Sequence, residues 1–238
     1  MNFFFVSKIL NFFDYFHKKK IIKKITETQK NTNIEIIFDI GGHRGESIEL
    51  FLKNLNVQKI YSFEPSELNF KFLLKTTESL QKKFKNTSIF LENFAVGNLN
   101  KNIELNYLNE TSSSTIRSLN VKSKYFQKKE KYFGKLINKK YQVKQIEFKD
   151  YLKKKNINRI DLLKIDTEGY ELEVLRGLKD SIKNVSIILF EHHYDDMVIK
   201  DYTFSDIHDL LIGNGFQKIY KIKMPFRKSF DYIYKRIK

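Results

Sequence analysis

Residues 34–46 read I-E-I-I-F-D-I-G-G-H-R-G-E. The nearly continuous apolar run to Ile40 is what a strand buried on both faces requires, and Gly41, Gly42 and Gly45 follow it at once. Beyond them Ile48, Phe51, Leu52 and Leu55 recur at spacings of three, four and seven, which places them on one face of a helix. Strand, glycine turn and helix make the first unit of a parallel sheet covered by helices.

The same alternation continues outward. Residues 57–63 and 88–93 predict two more strands, joined by a helix that opens at Pro65–Ser66 and carries Leu73, Leu80 and Phe84. Residues 160–165 and 185–190 predict two further buried strands, with a helix on Leu172, Val174, Leu175 and Leu178 between them. A last helix over 204–212 stops at Gly213 and Gly215, and a strand over 216–222 follows. Residues 101–108 and 141–148 alternate as exposed strands do, around a Ser-rich loop and a lysine-rich helix. The predicted class is therefore α/β, a Rossmann-like, mostly parallel sheet with helices on both faces. Its domain spans 31–222 and holds a β-rich, basic insertion at about 101–148.

Residues 1–30 predict an amphipathic helix in which Phe5, Ile9, Phe12, Phe13 and Phe16 share one face and Ser7, Asn11, Asp14 and Lys18 the other. Lys8 and Asp14 interrupt it, the lysines follow its apolar part and no small-residue cleavage site appears, so it does not read as an export signal. Packing against its own domain or a partner subunit is the favoured expectation. Anchoring at the inner membrane face, backed by the lysines at 18–20, is the alternative. Residues 223–238 are expected to be a basic tail outside the domain.

Composition removes several chemistries. The 238 residues contain no cysteine, which excludes disulfides, zinc knuckles, iron–sulfur sites and a thiol nucleophile. Apolar runs break well before the ~20 residues needed to cross a bilayer, and the expected setting is the cytoplasm. The net charge of +16 is uneven: +11 over 118–160 and +7 over 217–238, against −7 over 161–216. Yet 38 of the 44 cations are lysine, with few arginines for bidentate phosphate contacts, which argues against nucleic acid as the partner.

Candidate chemistry falls at the strand ends, where open α/β sheets bind ligands. His43 replaces the middle glycine of a dinucleotide fingerprint and crowds a pyrophosphate, whereas a nucleoside tolerates it. Glu64, 25 residues after Asp39, is placed to accept hydrogen bonds from ribose hydroxyls. The third strand ends E-N-F-A-V-G, offering an amide and an aromatic face to a base. The fourth ends K-I-D-T-E-G-Y, with Asp166 and Glu168, and the fifth F-E-H-H-Y, with Glu191, His192 and His193.

Taken together, I-I-F-D-I-G-G-H-R-G-E-S, Y-S-F-E-P-S-E-L-N-F, A-V-G and above all D-L-L-K-I-D-T-E-G-Y-E-L-E-V-L-R-G-L resemble the FkbM-like methyltransferases. The resemblance covers about residues 34–222; family members more often carry Ala and Asn where this chain has Gly42 and His43. It implies S-adenosylmethionine (SAM) as cofactor and a hydroxyl of a sugar, glycan or related small molecule as acceptor. Asp39, Gly41 and His43 would surround the amino-acid part of SAM, with Gly42 and Gly45 in the same turn; Glu64, beside Pro65, would hold the ribose, and Asn93 and Phe94, beside Ala95, the adenine. The expected catalytic base is His192, ahead of Asp166 and Glu168, and the expected acceptor contacts are Ser113, Ser114 and Arg117. No metal ligand is assigned, although carboxylates holding a divalent cation are an alternative. A SAM-dependent enzyme acting on nucleic acid, a non-catalytic RNA-binding domain and a membrane-docked scaffold are the competing readings, and self-association stays open.

Overall fold

The computed structural model describes residues 3–28, 33–109 and 111–237. A long helix, α1 (Phe3–Thr28), precedes β1 (Ile36–Ile40), α2 (Glu46–Asn54), β2 (Lys59–Phe63), α3 (Glu67–Lys83) and β3 (Ser88–Glu92). The middle section holds β4 (Ala95–Gly97), β5 (Lys101–Leu108), α4 (Lys124–Phe133), β6 (Asn138–Glu147) and α5 (Phe148–Lys154). The chain closes with β7 (Ile160–Ile165), α6 (Glu171–Leu178), β8 (Val185–His193), α7 (Phe204–Gly213), β9 (Phe216–Lys223) and β10 (Ser229–Arg236).

Seven strands form the main sheet in the order β3-β2-β1-β7-β8-β10-β9. The pairings from β3 through β8 are parallel, and β10 runs antiparallel to both of its neighbours. Chain order reverses on either side of β1, so the crevice beyond the ends of β1 and β7 is the topological switch point. Burial on both faces explains the unbroken apolar strands: Ile37, Leu162 and Ile187 face α1, α2 and α3, while Phe38, Leu163 and Ile188 face α5, α6 and α7. The predicted insertion supplies β5, α4 and β6, and its strands join β4, which precedes it, in a second sheet of order β4-β6-β5.

Two expectations are corrected. Residues 229–236 are a strand of the main sheet, because Tyr232, Ile233 and Tyr234 alternate between its two cores and outweigh the flanking cations. The N-terminal helix packs on the domain, but through His17, Ile21, Ile22 and Ile25. Phe13 and Phe16 stay exposed, and the side chains of Phe5, Ile9 and Phe12 lie outside the described residues. Among the described residues no helix is long and apolar enough to cross a membrane.

Candidate active site

The glycine turn after β1 is shaped first by its protein neighbours. Gly41 has φ +86°, and a β-carbon there would lie 1.9 Å from the Asp166 carbonyl oxygen, where the ends of β1 and β7 press together. A β-carbon on Gly42 would lie 2.2 Å from Ser62 Oγ. The N–H groups of both glycines donate to the Phe63 carbonyl, at 3.0 and 2.9 Å. Gly45 lets α2 start against Thr76 of α3. The turn brings the N–H of His43 to Glu64 Oε2 at 2.9 Å, while the N–H of Ser66 donates to Oε1 at 2.9 Å. Burial pushes the Glu64 carboxyl up to about 7, against the pull of those bonds.

Asp39 stands behind this turn, fully buried. It pairs across the sheet, in register, with Lys164: Nζ is 3.0 Å from Asp39 Oδ1, donates to the Gly41 carbonyl at 2.8 Å and lies 3.6 Å from Asp166 Oδ2. Burial works against the ammonium, yet Asp39 and Asp166 hold its pKa above the ordinary value. Asp39 thus acts through Lys164 and the backbone of Gly41, and is not among the residues that line the cavity.

That cavity, of about 450 Å³, runs along the strand ends. At one end Phe63, Phe94, Ala95, Leu105 and Ile116 give it apolar walls, with Phe94 edge-on to Phe63 at 5.7 Å. Glu64 and Pro65 follow Phe63 into the lining on this side, with Gly41 and His43 beside them. Of the expected cofactor residues, Gly42, Gly45 and Asn93 support the site from outside the lining. Asn93 Nδ2 donates to the Glu64 carbonyl at 2.8 Å and so ties the end of β3 to that of β2.

The other end is acidic, lined by Asp166, Glu168 and Glu191. Side chains on β8 alternate between its faces, so Glu191 and His193 share the cavity side while His192 points the opposite way. The His192 ring lies among Tyr194, Tyr202 and Phe204, and burial pushes its pKa down to about 3. This overturns its placement as the base: it is 3% exposed and does not line the cavity. His193 Nε2 lies 3.3 Å from both Glu168 Oε2 and Glu191 Oε1, and Nδ1 lies 3.4 Å from Asp195 Oδ2. Burial opposes its charge, but these three carboxylates keep its pKa well above the ordinary value. Burial also pushes Glu191 up to about 8, with His193 opposing.

Asp231 on β10 sits beside Glu191 and bonds His17 of α1 at 2.5 Å. Asp14, His17 and Lys18 of α1, with Met224 and Arg227 of the β9–β10 turn, complete the wall. None of these five was singled out from the sequence as a site residue, nor was Lys164. The visible signal for Lys164 was a lysine inside an apolar strand beside Asp39, which calls for a buried ion partner.

The loop before α4 covers the cavity. Ser114 lines it and accepts from the Leu108 N–H at 3.3 Å. Ser113 lies outside the lining, bonded to Lys129. Arg117 is also outside: its guanidinium pairs with Glu173 and with Asp201 at 2.7 Å, donates to the Gly169 carbonyl at 3.1 Å and covers the rings of Tyr170 and Tyr202. Ser113 and Arg117 therefore position the loop, and Ser114 is the one of the three that reaches the cavity.

The family described as the methyltransferase FkbM domain matches residues 39–218, about three quarters of the chain. No curated protein matches it in sequence. Among solved structures, the FkbM methyltransferase of Methylobacillus flagellatus superposes with a TM-score of 0.56 at 13% identity, over 84% of this chain and 43% of that one. This chain thus spans less than half the length of that protein. The magnesium protoporphyrin IX methyltransferase of Synechocystis, solved with SAM, superposes at 0.54 and 10% identity, over 98% and 84% of the two chains. An rRNA methylase of Streptococcus thermophilus does so at 0.51 and 9%, over 92% and 95%. At such identities the superpositions establish the fold; the family match rests on sequence, and by it this chain belongs to the FkbM family of SAM-dependent methyltransferases.

Proposed function

We propose that this protein moves the methyl group of SAM to a hydroxyl oxygen of a neutral, polyhydroxylated small molecule such as a sugar or glycan unit. The observation that carries this reading is one continuous cavity with an aromatic compartment at Phe63 and Phe94 and a carboxylate compartment at Asp166, Glu168 and Glu191.

The residues present fit the cofactor. The Phe63 and Phe94 rings with Ala95 make apolar walls for an adenine. Each Glu64 oxygen accepts one backbone N–H and keeps lone-pair capacity for ribose hydroxyls. When bound, SAM supplies an activated methyl group on a sulfonium that becomes a neutral thioether.

A hydroxyl must lose its proton as it is methylated, and a carboxylate within reach contributes ~10²–10⁴-fold. Asp166 and Glu168, at the end of the central strand β7, are the groups for that task. His193, held charged among Glu168, Glu191 and Asp195, fixes Glu168 in place. Carboxylates and Ser114 are also the groups that bind polyols by hydrogen bonds, whereas Arg117, expected from the sequence to contact the acceptor, is engaged by Glu173 and Asp201 outside the lining, and Arg227 in the wall is paired with Asp14.

Two measurements test the reading. Thermal unfolding should shift upward by several degrees with SAM and S-adenosylhomocysteine and not with NAD. Incubation with methyl-labelled SAM and a panel of sugars should yield a methyl ether. A label found on nitrogen or in RNA would overturn the acceptor class, and no shift with SAM would overturn the cofactor site.

A further inference from the structure

We propose that the face formed by α1 and the β9–β10 turn docks this enzyme on an anionic lipid bilayer, with the mouth of the cavity toward the headgroups. The first observation is Phe226, at the tip of the turn. It is 66% exposed and has φ +61°, the left-handed region that a bulky residue rarely adopts. A phenylalanine kept in a costly conformation and pointed at solvent indicates a use outside the fold.

The second observation is what surrounds it. Phe13 lies edge-on to Phe226 at 5.2 Å, and Arg227 pairs with Asp14 at 3.2 Å, so turn and helix are clamped into one surface. Tyr15 and Phe16 extend it, leaving Phe13, Tyr15 and Phe16 at 42%, 53% and 46% exposure. Exposed lysines border these rings: Lys18, Lys19 and Lys20 on the helix, Lys223 and Lys228 beside the turn. Aromatic rings that enter the headgroup region, ringed by lysines that reach lipid phosphates, are the pattern of an interfacial helix. Among the described residues the helix is not apolar enough to cross a bilayer.

Position supplies the third observation. Asp14, His17, Lys18, Met224 and Arg227 alternate with the exposed rings along the same two segments and line the cavity. Docking through the rings therefore sets the acid-rich end of the cavity at the lipid surface. This goes beyond the proposed reaction and does not depend on the identity of the acceptor.

Flotation of the full chain with vesicles of phosphatidylethanolamine and phosphatidylglycerol, against vesicles of phosphatidylcholine alone, tests it. The chain should float with the anionic vesicles, less so as salt rises. Phe226→Gly relieves the left-handed strain, so it should unfold no earlier than the parent chain while partitioning about tenfold less. Lys19→Gln with Lys20→Gln should lower partitioning by about twenty-fivefold, near fivefold for each charge. Both variants should keep the SAM-induced thermal shift, whose loss would strike at the cofactor site instead. Failure of the chain to float, flotation of Phe226→Gly equal to the parent, or displacement from the vesicles by oligouridylate would each overturn the proposal, the last in favour of RNA.

Discussion

At the Glu64 end of the cavity, backbone N–H groups from one turn and one helix start hold the carboxylate. At the Glu191 end, side chains from α1, β8, β10 and the β7–α6 turn hold one another: His17 with Asp231, His193 with Glu168 and Glu191. The first kind of site needs glycine, proline and an acid at fixed spacing, because only certain residues permit that backbone path. The second needs complementary charge across long sequence separations, His17 to Asp231 being 214 positions apart. The backbone-built site can be read from residue spacing alone; of the side-chain site, the acids at the end of β7 stand in a local motif, whereas the long-range partners His17 and Asp231 leave none.

The largest effect expected at the acidic end is on turnover. Asp166→Asn and Glu168→Gln should each lower kcat by ~10²–10⁴-fold while the SAM dissociation constant moves only a few-fold. Equal damage to SAM affinity would merge the two ends into a single binding site and remove the division drawn above.

Next in size is Gly41→Ala at the backbone-built end. The added carbon meets the Asp166 carbonyl and the residue must keep φ +86°, so neither rotation nor a side-chain move relieves it. A loss of about 3–5 kcal/mol is expected, together with loss of the SAM-induced thermal shift. Normal stability in this variant would mean that the ends of β1 and β7 can separate.

The pH dependence of Glu64 sharpens the same comparison. Its folded-state pKa is raised from 4.5 to about 7, so the folded state binds the proton more tightly than the unfolded one. Its contribution to stability is therefore full below pH 4.5 and lost as pH rises through 7, a change on the order of 3 kcal/mol. Urea unfolding of the ligand-free chain should show this decline, and Glu64→Gln should decline less over the same window. A parallel course for the two would show that Glu64 is not the titrating group.

The main sheet was legible because burial on both faces leaves a simple trace, an apolar run ended by a turn. β10 was not, because its apolar residues are interleaved with Asp231, Lys235 and Arg236 and read as a charged tail. Of the lining residues, Gly41, Glu64, Phe94 and Ala95 were legible from their places at the strand ends, and His43 and Pro65 from the family resemblance. Spacing could not separate them from Asp39, Gly42, Gly45 and Asn93, which act one step behind the wall. Arg117 failed for a related reason: a cation near a Ser-rich loop looks the same in sequence whether it faces a ligand or Glu173 and Asp201.

His192 gives the smallest predicted effect and the clearest separation of face from sequence neighbourhood. It stands between Glu191 and His193, one position from either, yet strand parity puts its ring in the aromatic layer with Tyr194, Tyr202 and Phe204. Nδ1 is buried without a hydrogen-bond partner, and the ring is neutral at any pH near 7, since its pKa is pushed down to about 3. A phenylalanine keeps the ring contacts and removes that unsatisfied nitrogen, at the cost of some overpacking. His192→Phe should therefore leave kcat within about twofold of the parent and stability within about 1 kcal/mol, whereas His193→Phe deprives Glu168 and Glu191 of their shared cation. Were His192→Phe to abolish turnover while His193→Phe spared it, the faces of β8 would have been assigned the wrong way round, and the acidic end of the cavity with them.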